Sequence, residues 1–193
     1  MCNPKQKILK AASQLFLEVG IQGLSVRAIS KRAGISTIGI YSHFKGKQGI
    51  LDELYMQGFE LVYSAMNIDE NTCSPKTVIL QGVSNYLSIA DKNEAHYRLI
   101  FGESSIGYSP SDTAKAVSEK VFGRLINVAS ILLPEHSTME DKKKIAIEFW
   151  AFMHGFVSLK HHVTSRNMKE EDWQIITMNA LTKHIDSVIA LHN

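Results

Sequence analysis

Cysteine is nearly missing from this 193-residue chain, which has only Cys2 and Cys73. The two are far apart and neither belongs to a CxxC pair, so a disulfide framework or a zinc-thiolate site is not expected. A reduced, intracellular protein fits that usage. No apolar run approaches the ~18 residues needed to span a bilayer. The opening residues MCNPKQK hold no apolar signal core. The expectation is a soluble, cytoplasmic protein with no membrane partner. Strand-like alternation is scarce as well. Catalytic signatures are absent: there is no GxSxG, no HExxH, no P-loop and no GxGxxG after a strand. No catalytic residue is assigned, and an enzyme is not expected. His154 and the pair His161-His162 lack HxxxH spacing, and no Cys or paired carboxylate joins them. Neither a metal nor a cofactor is therefore expected. Lys142, Lys143 and Lys144 follow Glu140 and Asp141 at a helix start and read as a solvated face.

What the chain does have is uneven charge. The formal net charge is only +2, yet residues 1–50 hold eight Lys/Arg (Lys5, Lys7, Lys10, Arg27, Lys31, Arg32, Lys45, Lys47) against one acid, Glu18. Residues 51–193 are mildly acidic, with 13 basic and 18 acidic side chains. A basic head on an acidic body suits a phosphate-binding module joined to a domain that does not bind phosphate.

Helical period runs through nearly every segment, and the spacing predicts nine helices. Asn3-Pro4 reads as a cap and first-turn proline, and Ile8, Leu9, Ala12, Leu15, Phe16 and Val19 form the first apolar stripe, closed by Gly20. A second helix is predicted from Ser25 to Gly34 and a short third one from Ser36 to about His43. A long fourth spans 48–65. Further helices are expected over 76–90, 93–101, 112–133 (broken by Pro134), 140–164 and 170–191. The stretches 67–75 and 102–111 read as loops. The fold class is all-α. A helix-turn-helix domain is expected over 1–50, with a linking helix at about 47–65. The remainder, 66–193, is read as a ligand-binding and dimerisation domain.

Residues 25–44, SVRAISKRAGISTIGIYSHF, carry the chemistry. Two short helices flank a glycine-containing turn of three to four residues, which is the helix-turn-helix layout. Ile29, Ala33, Ile35, Ile40 and Phe44, with Leu15 and Phe16, can form its core. Arg27 can fork onto guanine or a phosphate. Thr37 lies in the first turn of the third helix, where side chains reach base edges. Ile38 can touch a thymine methyl, and Gly39 lets the backbone approach closely. Tyr41, Ser42 and His43 can meet phosphate oxygens, and Lys47 starts the fourth helix, a natural anion site. Ser25, Val26, Ser36 and Lys45 complete the expected DNA-contacting set.

These residues resemble a known family. AAxxLF at Ala11–Phe16, Gly20, Ser25, the AG(I/V)S element at Ala33–Ser36 and YxHFxxK at Tyr41–Lys47 look like the DNA-binding domain of the TetR (tetracycline-repressor-like) family. The resemblance implies a nine-helix homodimer that binds a palindromic double-stranded operator and represses transcription. Ile38 stands where the family most often has a small residue, Gly39 where it has serine, threonine or alanine, and Ser30 replaces the usual alanine. These departures sit partly on the reading surface and bear on operator sequence rather than fold. Trp150-Ala-Phe-Met-His154-Gly155 also resembles the Trp/His-Gly signature of one C-terminal subgroup.

In the C-terminal part, Tyr97, Phe101, Phe122, Trp150 and His154 are expected to line a mostly apolar pocket for a small-molecule effector. The loop at 102–111 is its expected entrance or hinge. The last two helices are expected to form a homodimeric four-helix bundle through Phe149, Phe152, Met153, Phe156, Ile176, Ala180, Leu181, Ile185 and Val188. Two alternatives compete with a ligand-responsive repressor. One is a helix-turn-helix activator or regulator that senses no small molecule. The other is a small all-α enzyme or metal-binding bundle, which would need a nucleophile–base or metal-ligand cluster.

Overall fold

The computed structural model describes residues 3–69, 74–101, 107–160 and 168–192. Cys2, Cys73, Gly102, His161-His162 and the end of the expected eighth helix lie outside them. Among the described residues there are nine α-helices, one turn of 3-10 helix and no strand. None of these helices is long and apolar enough to cross a membrane.

The chain forms two compact units. The first comprises residues 1–61 and 92–120, the second 62–91 and 121–193. These units are not a single cut of the sequence, because 92–120 groups with the N-terminal helices. The first unit holds α1 (Pro4–Gly23), α2 (Val26–Ala33), α3 (Thr37–Phe44), most of α4 (Lys47–Ala65), α6 (Glu94–Phe101) and the start of α7 (Asp112–Ala129). The second holds α5 (Pro75–Lys92), the rest of α7, the 3-10 turn Ser130–Leu132, α8 (Met139–Lys160) and α9 (Glu170–His192).

In the first unit, Asn3 caps α1 by accepting from the Lys5 amide at 3.0 Å, with Pro4 in the first turn. Ile8, Leu9, Ala11, Ala12, Leu15 and Phe16 are buried as the helical period requires. Val19 is the exception. It is 49% exposed, because Gly20 (φ 66°, ψ −177°) kinks the helix just beyond it and a further turn runs on to Gly23. The core is continued by Ile29, Ile40, Ile50, Leu51 and Leu99. Each fully buried side chain of this size stabilises the unit by about 1.5–3 kcal/mol. Arg98 of α6 lies over the Phe16 ring of α1, 5.7 Å from its centroid.

In the second unit, α7 ends earlier than its apolar pattern implied. Leu133 is extended (φ −101°, ψ 153°) ahead of Pro134, as sterics with a following proline demand. The last turn therefore tightens into the 3-10 segment. A reciprocal capping box opens α8: the Thr138 amide donates to Asp141 Oδ2 at 3.1 Å and the Asp141 amide to Thr138 Oγ1 at 3.2 Å. Lys160 Nζ donates to both carboxyl oxygens of Asp91 (2.7 and 2.8 Å) and to Glu170 Oε1 (2.7 Å), tying the ends of α5, α8 and α9.

Candidate nucleic-acid interface

The reading head is assembled from local backbone chemistry. Ser25 caps α2, its hydroxyl accepting from the Ala28 amide at 3.1 Å. Gly34 ends that helix in the left-handed region (φ 65°, ψ 33°), where a Cβ would be strained. Ser36 caps α3 by accepting from the Gly39 amide at 3.1 Å. Buried Ile29, Ile40 and Phe44, with half-buried Ala33 and Ile35, fix the crossing of the two helices.

This packing turns a polar and apolar mixture outward. Ser25, Arg27, Ser36, Thr37, Ile38, Tyr41, Ser42, His43 and Lys45 are exposed, while Val26, Gly39 and Lys47 are half-buried. The twelve candidates all fall within 25–47, on α2, α3, the turns around them and the first residue of α4. Ile38 is 80% exposed and Tyr41 56%. A branched aliphatic side chain so fully presented at the first turn of a helix contributes nothing to this chain's core and suits contact with a thymine methyl.

Some of the candidates already have intramolecular partners. Ser25 and Ser36 accept bonds as caps, so each hydroxyl retains its own hydrogen for an outside acceptor. Ser42 Oγ donates to the Gly39 carbonyl at 2.9 Å, so in this arrangement it can only accept and is a poor phosphate donor. Lys47 Nζ donates to the Ile21 carbonyl at 2.7 Å, fastening the start of α4 to the end of α1 while two of its donors remain. Arg32, counted in the basic head, is held by Glu18 through two bonds of 2.5 and 2.7 Å. That contact lowers the Glu18 pKa and raises that of Arg32, and it neutralises one positive charge of the head.

Three residues with a clear role near the head had no role assigned from sequence. Gly49 sits where a Cβ would come within 1.8 Å of the Phe44 carbonyl oxygen, so only glycine lets α4 start against the end of α3. Asp52 and Tyr108 pair across α4 and the segment before α7. Gln48, four residues before Asp52, is a sequence-visible helical partner. Tyr108, 56 residues away, left no local signal.

Comparison with known proteins agrees with this geometry. A family model described as "Bacterial regulatory proteins, tetR family" matches residues 8–54. A second, "Tetracyclin repressor-like, C-terminal domain", matches residues 79–173. The chain belongs to the TetR family. It is 34% identical over 107 residues to the "Probable HTH-type transcriptional regulator YttP" of Bacillus subtilis, covering 53% of this chain and 51% of that protein. It is 38% identical over 47 residues to the class A tetracycline repressor of Escherichia coli, covering 24% of this chain and 22% of the repressor. The chain thus spans about half of the first relative's length and a smaller part of the second's. A TetR-family regulatory protein from Rhodococcus RHA1 shares the fold with a TM-score of 0.74 at 17% identity, over 98% of this chain and 97% of that one. The TetR-Q116A protein of Acinetobacter baumannii, in complex with minocycline, has a TM-score of 0.63 at 16% identity, over 96% of each chain.

The effector residues anticipated for this TetR-family chain fall in two places. Tyr97 and Phe101 of the first unit pack ring to ring at 5.0 Å, and Phe101 meets Phe59 of α4 at 5.9 Å. Phe122 and Trp150 of the second unit are 5.5 Å apart. His154, in that same unit, lies 3.5 Å from Ser158 Oγ, and burial lowers its pKa. All five are half-buried. An open groove of about 500 Å³ in the second unit is lined by other residues, among them Lys76, Ile131, Leu133, Pro134 and Ile189.

The nine residues expected at the dimer contact are mostly covered within the single chain. Phe149, Met153, Leu181, Ile185 and Val188 are at most 6% exposed within the single chain. Phe152 stacks on His184 at 5.0 Å, and Phe156 contacts Trp173 at 5.9 Å. Ala180 is half-buried, and only Ile176 of the nine is exposed, at 44%. Helical spacing marks an apolar stripe without saying which neighbour covers it; within the chain, Phe149 and Phe152 of α8 meet His184 of α9 and Phe156 meets Trp173. The large apolar side chains left outward on these helices are Met139, Ile147, Leu159, Ile175, Ile176 and Leu191.

Proposed function

We propose that this chain is a non-enzymatic repressor that holds a palindromic operator as a homodimer and releases it when a small apolar or amphipathic molecule binds the C-terminal part. In this reading residues 1–50 are the reading domain, α4 is the link and 66–193 sense the ligand and dimerise. The observation that carries the DNA reading is the exposed first turn of α3, where Thr37 and Ile38 project beside Arg27, Tyr41 and Lys45 from a buried helix-turn-helix core. The resemblance to tetracycline repressors, and to a structure in complex with minocycline, supports a small-molecule effector. For the dimer, we propose the outward face of α8 and α9, with Ile147, Ala151, Ile175 and Ile176, joined across a two-fold axis.

The test is selection from random duplex followed by gel shift. A near-palindrome is expected, with half-sites one or more helical turns, ~34–36 Å each, apart. Recovery of no enriched site overturns the reading. The ring-on-ring packing of Phe122 with Trp150, and of Tyr97 with Phe101, favours a second reading in which these aromatics are core and no small molecule is sensed. DNA release across a library of hydrophobic compounds separates the two.

A further inference from the structure

We propose that Ser30 is a positioning residue that sets the pose of α3 for sequence reading, an inference that rests on the DNA-binding function above. Ser30 and Ile35 exchange two hydrogen bonds across the turn. The Ile35 amide donates to the Ser30 carbonyl at 3.2 Å, and the Ser30 hydroxyl donates to the Ile35 carbonyl at 2.6 Å. The first bond is the ordinary closure of a helix that ends in a left-handed glycine, and any residue at position 30 would make it. The second needs a hydroxyl.

A serine inside a helix usually turns its hydroxyl back to the carbonyl four residues earlier or out to water. Here it reaches forward, to a carbonyl that lies in neither helix. That carbonyl shares its peptide plane with the amide of Ser36, the cap of α3. Fixing the Ile35 oxygen therefore fixes the plane from which the first turn of α3 starts. Thr37 and Ile38, the exposed base-facing candidates, follow one and two residues later. Without the hydroxyl, one amide–carbonyl bond and the packing of Ile35 remain, and the plane can rock about the Gly34 hinge. Base contacts need the turn in one pose. Phosphate contacts by flexible lysines do not. Losing the clamp should thus reduce operator affinity more than affinity for random duplex.

The experiment compares the full-length wild type with Ser30→Ala and Ser30→Thr on the duplex the wild type selects and on random duplex. Thermal midpoint and exchange of the Ile35 amide are measured alongside. Alanine is the better helix former, so Ser30→Ala keeps the head folded. The expected result is a loss of about 3- to 10-fold in operator affinity, the range for one net hydrogen bond. Affinity for random duplex should change by less than about twofold, because phosphate contacts dominate it. The Ile35 amide should exchange faster, and Ser30→Thr, which restores a hydroxyl, should recover most of the loss. Unchanged operator affinity in Ser30→Ala overturns the clamp while leaving DNA binding intact. Equal losses on both duplexes with a lowered midpoint also overturn it, because that is simple destabilisation. A wild type that prefers no duplex over random sequence overturns the DNA reading and the clamp together.

Discussion

The phenol of Tyr108 donates to Asp52 Oδ1 at 2.7 Å, and the Ser111 amide and Gln48 Nε2 donate to the same oxygen at 3.2 and 3.1 Å. Gln48 also donates to the Ser109 carbonyl at 2.9 Å. One carboxyl group in the second turn of α4 thus anchors the segment that leads into α7. The Tyr108 ring is buried and stands 5.9 Å from Tyr55.

Tyr108→Phe should therefore destabilise the first unit by about 1 kcal/mol, and Asp52→Ala by about 1–3 kcal/mol, since the latter leaves a buried O–H unpaired. Burial, then the bond to Asp52, push the phenol above its ordinary value of 10.0. A raised folded pKa means that the stability is fully present below pH 10 and is lost as the pH rises beyond it. Denaturant titration of the wild type should show this alkaline loss, and Tyr108→Phe should show less of it.

Two glycines of the head should respond differently to alanine. At Gly34 there is open space and the cost is left-handed strain alone, about 1 kcal/mol. Gly49→Ala drives a Cβ onto the Phe44 carbonyl, and overpacking of that kind costs about 1–3 kcal/mol or more. Chemical denaturation should rank Gly49→Ala as the more damaging, with DNA affinity falling in parallel because the end of α3 must shift.

His96 on α6 carries a pH signature. Burial lowers its pKa from 6.5, so below that value the unfolded chain binds a proton that the folded chain resists. Stability should fall as pH drops below 6.5 toward the lowered folded value. His96→Gln should flatten that slope. An unchanged slope would place the titration elsewhere.

On α8 and α9 the inner and outer faces should separate by readout. Met153→Ala removes a buried side chain and should cost about 2–5 kcal/mol of protomer stability. Ile147→Glu and Ile176→Glu alter exposed positions and should leave protomer helicity intact. If this face carries the proposed dimer contact, light scattering should report a dimer for the wild type and monomers for the doubly substituted chain.

The head was legible in the sequence because its signals are local. Asn3, Ser25, Gly34 and Ser36 are caps that announce helix ends within four residues, and all four act as such. Ile29, Ile40 and Phe44 were readable as core from their spacing. The C-terminal part was less legible because helical period gives a stripe but no neighbour. Phe149 of α8 meets His184 of α9 inside one chain, with 5.1 Å between ring centroids, yet the same spacing fits a contact between chains. Engaged side chains were also invisible. Nothing local says that Ser42 spends its proton on Gly39, that Glu18 occupies Arg32, or that Asp52 waits for a tyrosine 56 residues away.

The most direct measurement for the central claim, that the exposed first turn of α3 reads base sequence, is a salt titration of operator affinity for wild type, Ile38→Ala and Lys45→Ala. Ile38→Ala should lose operator preference, by about 1–3 kcal/mol, with the slope of log affinity against log salt unchanged. Lys45→Ala should weaken operator and random duplex alike and reduce that slope by about one per protomer. If Ile38→Ala bound the operator as tightly as the wild type, with the same preference over random duplex, α3 would not be reading the site through its first turn.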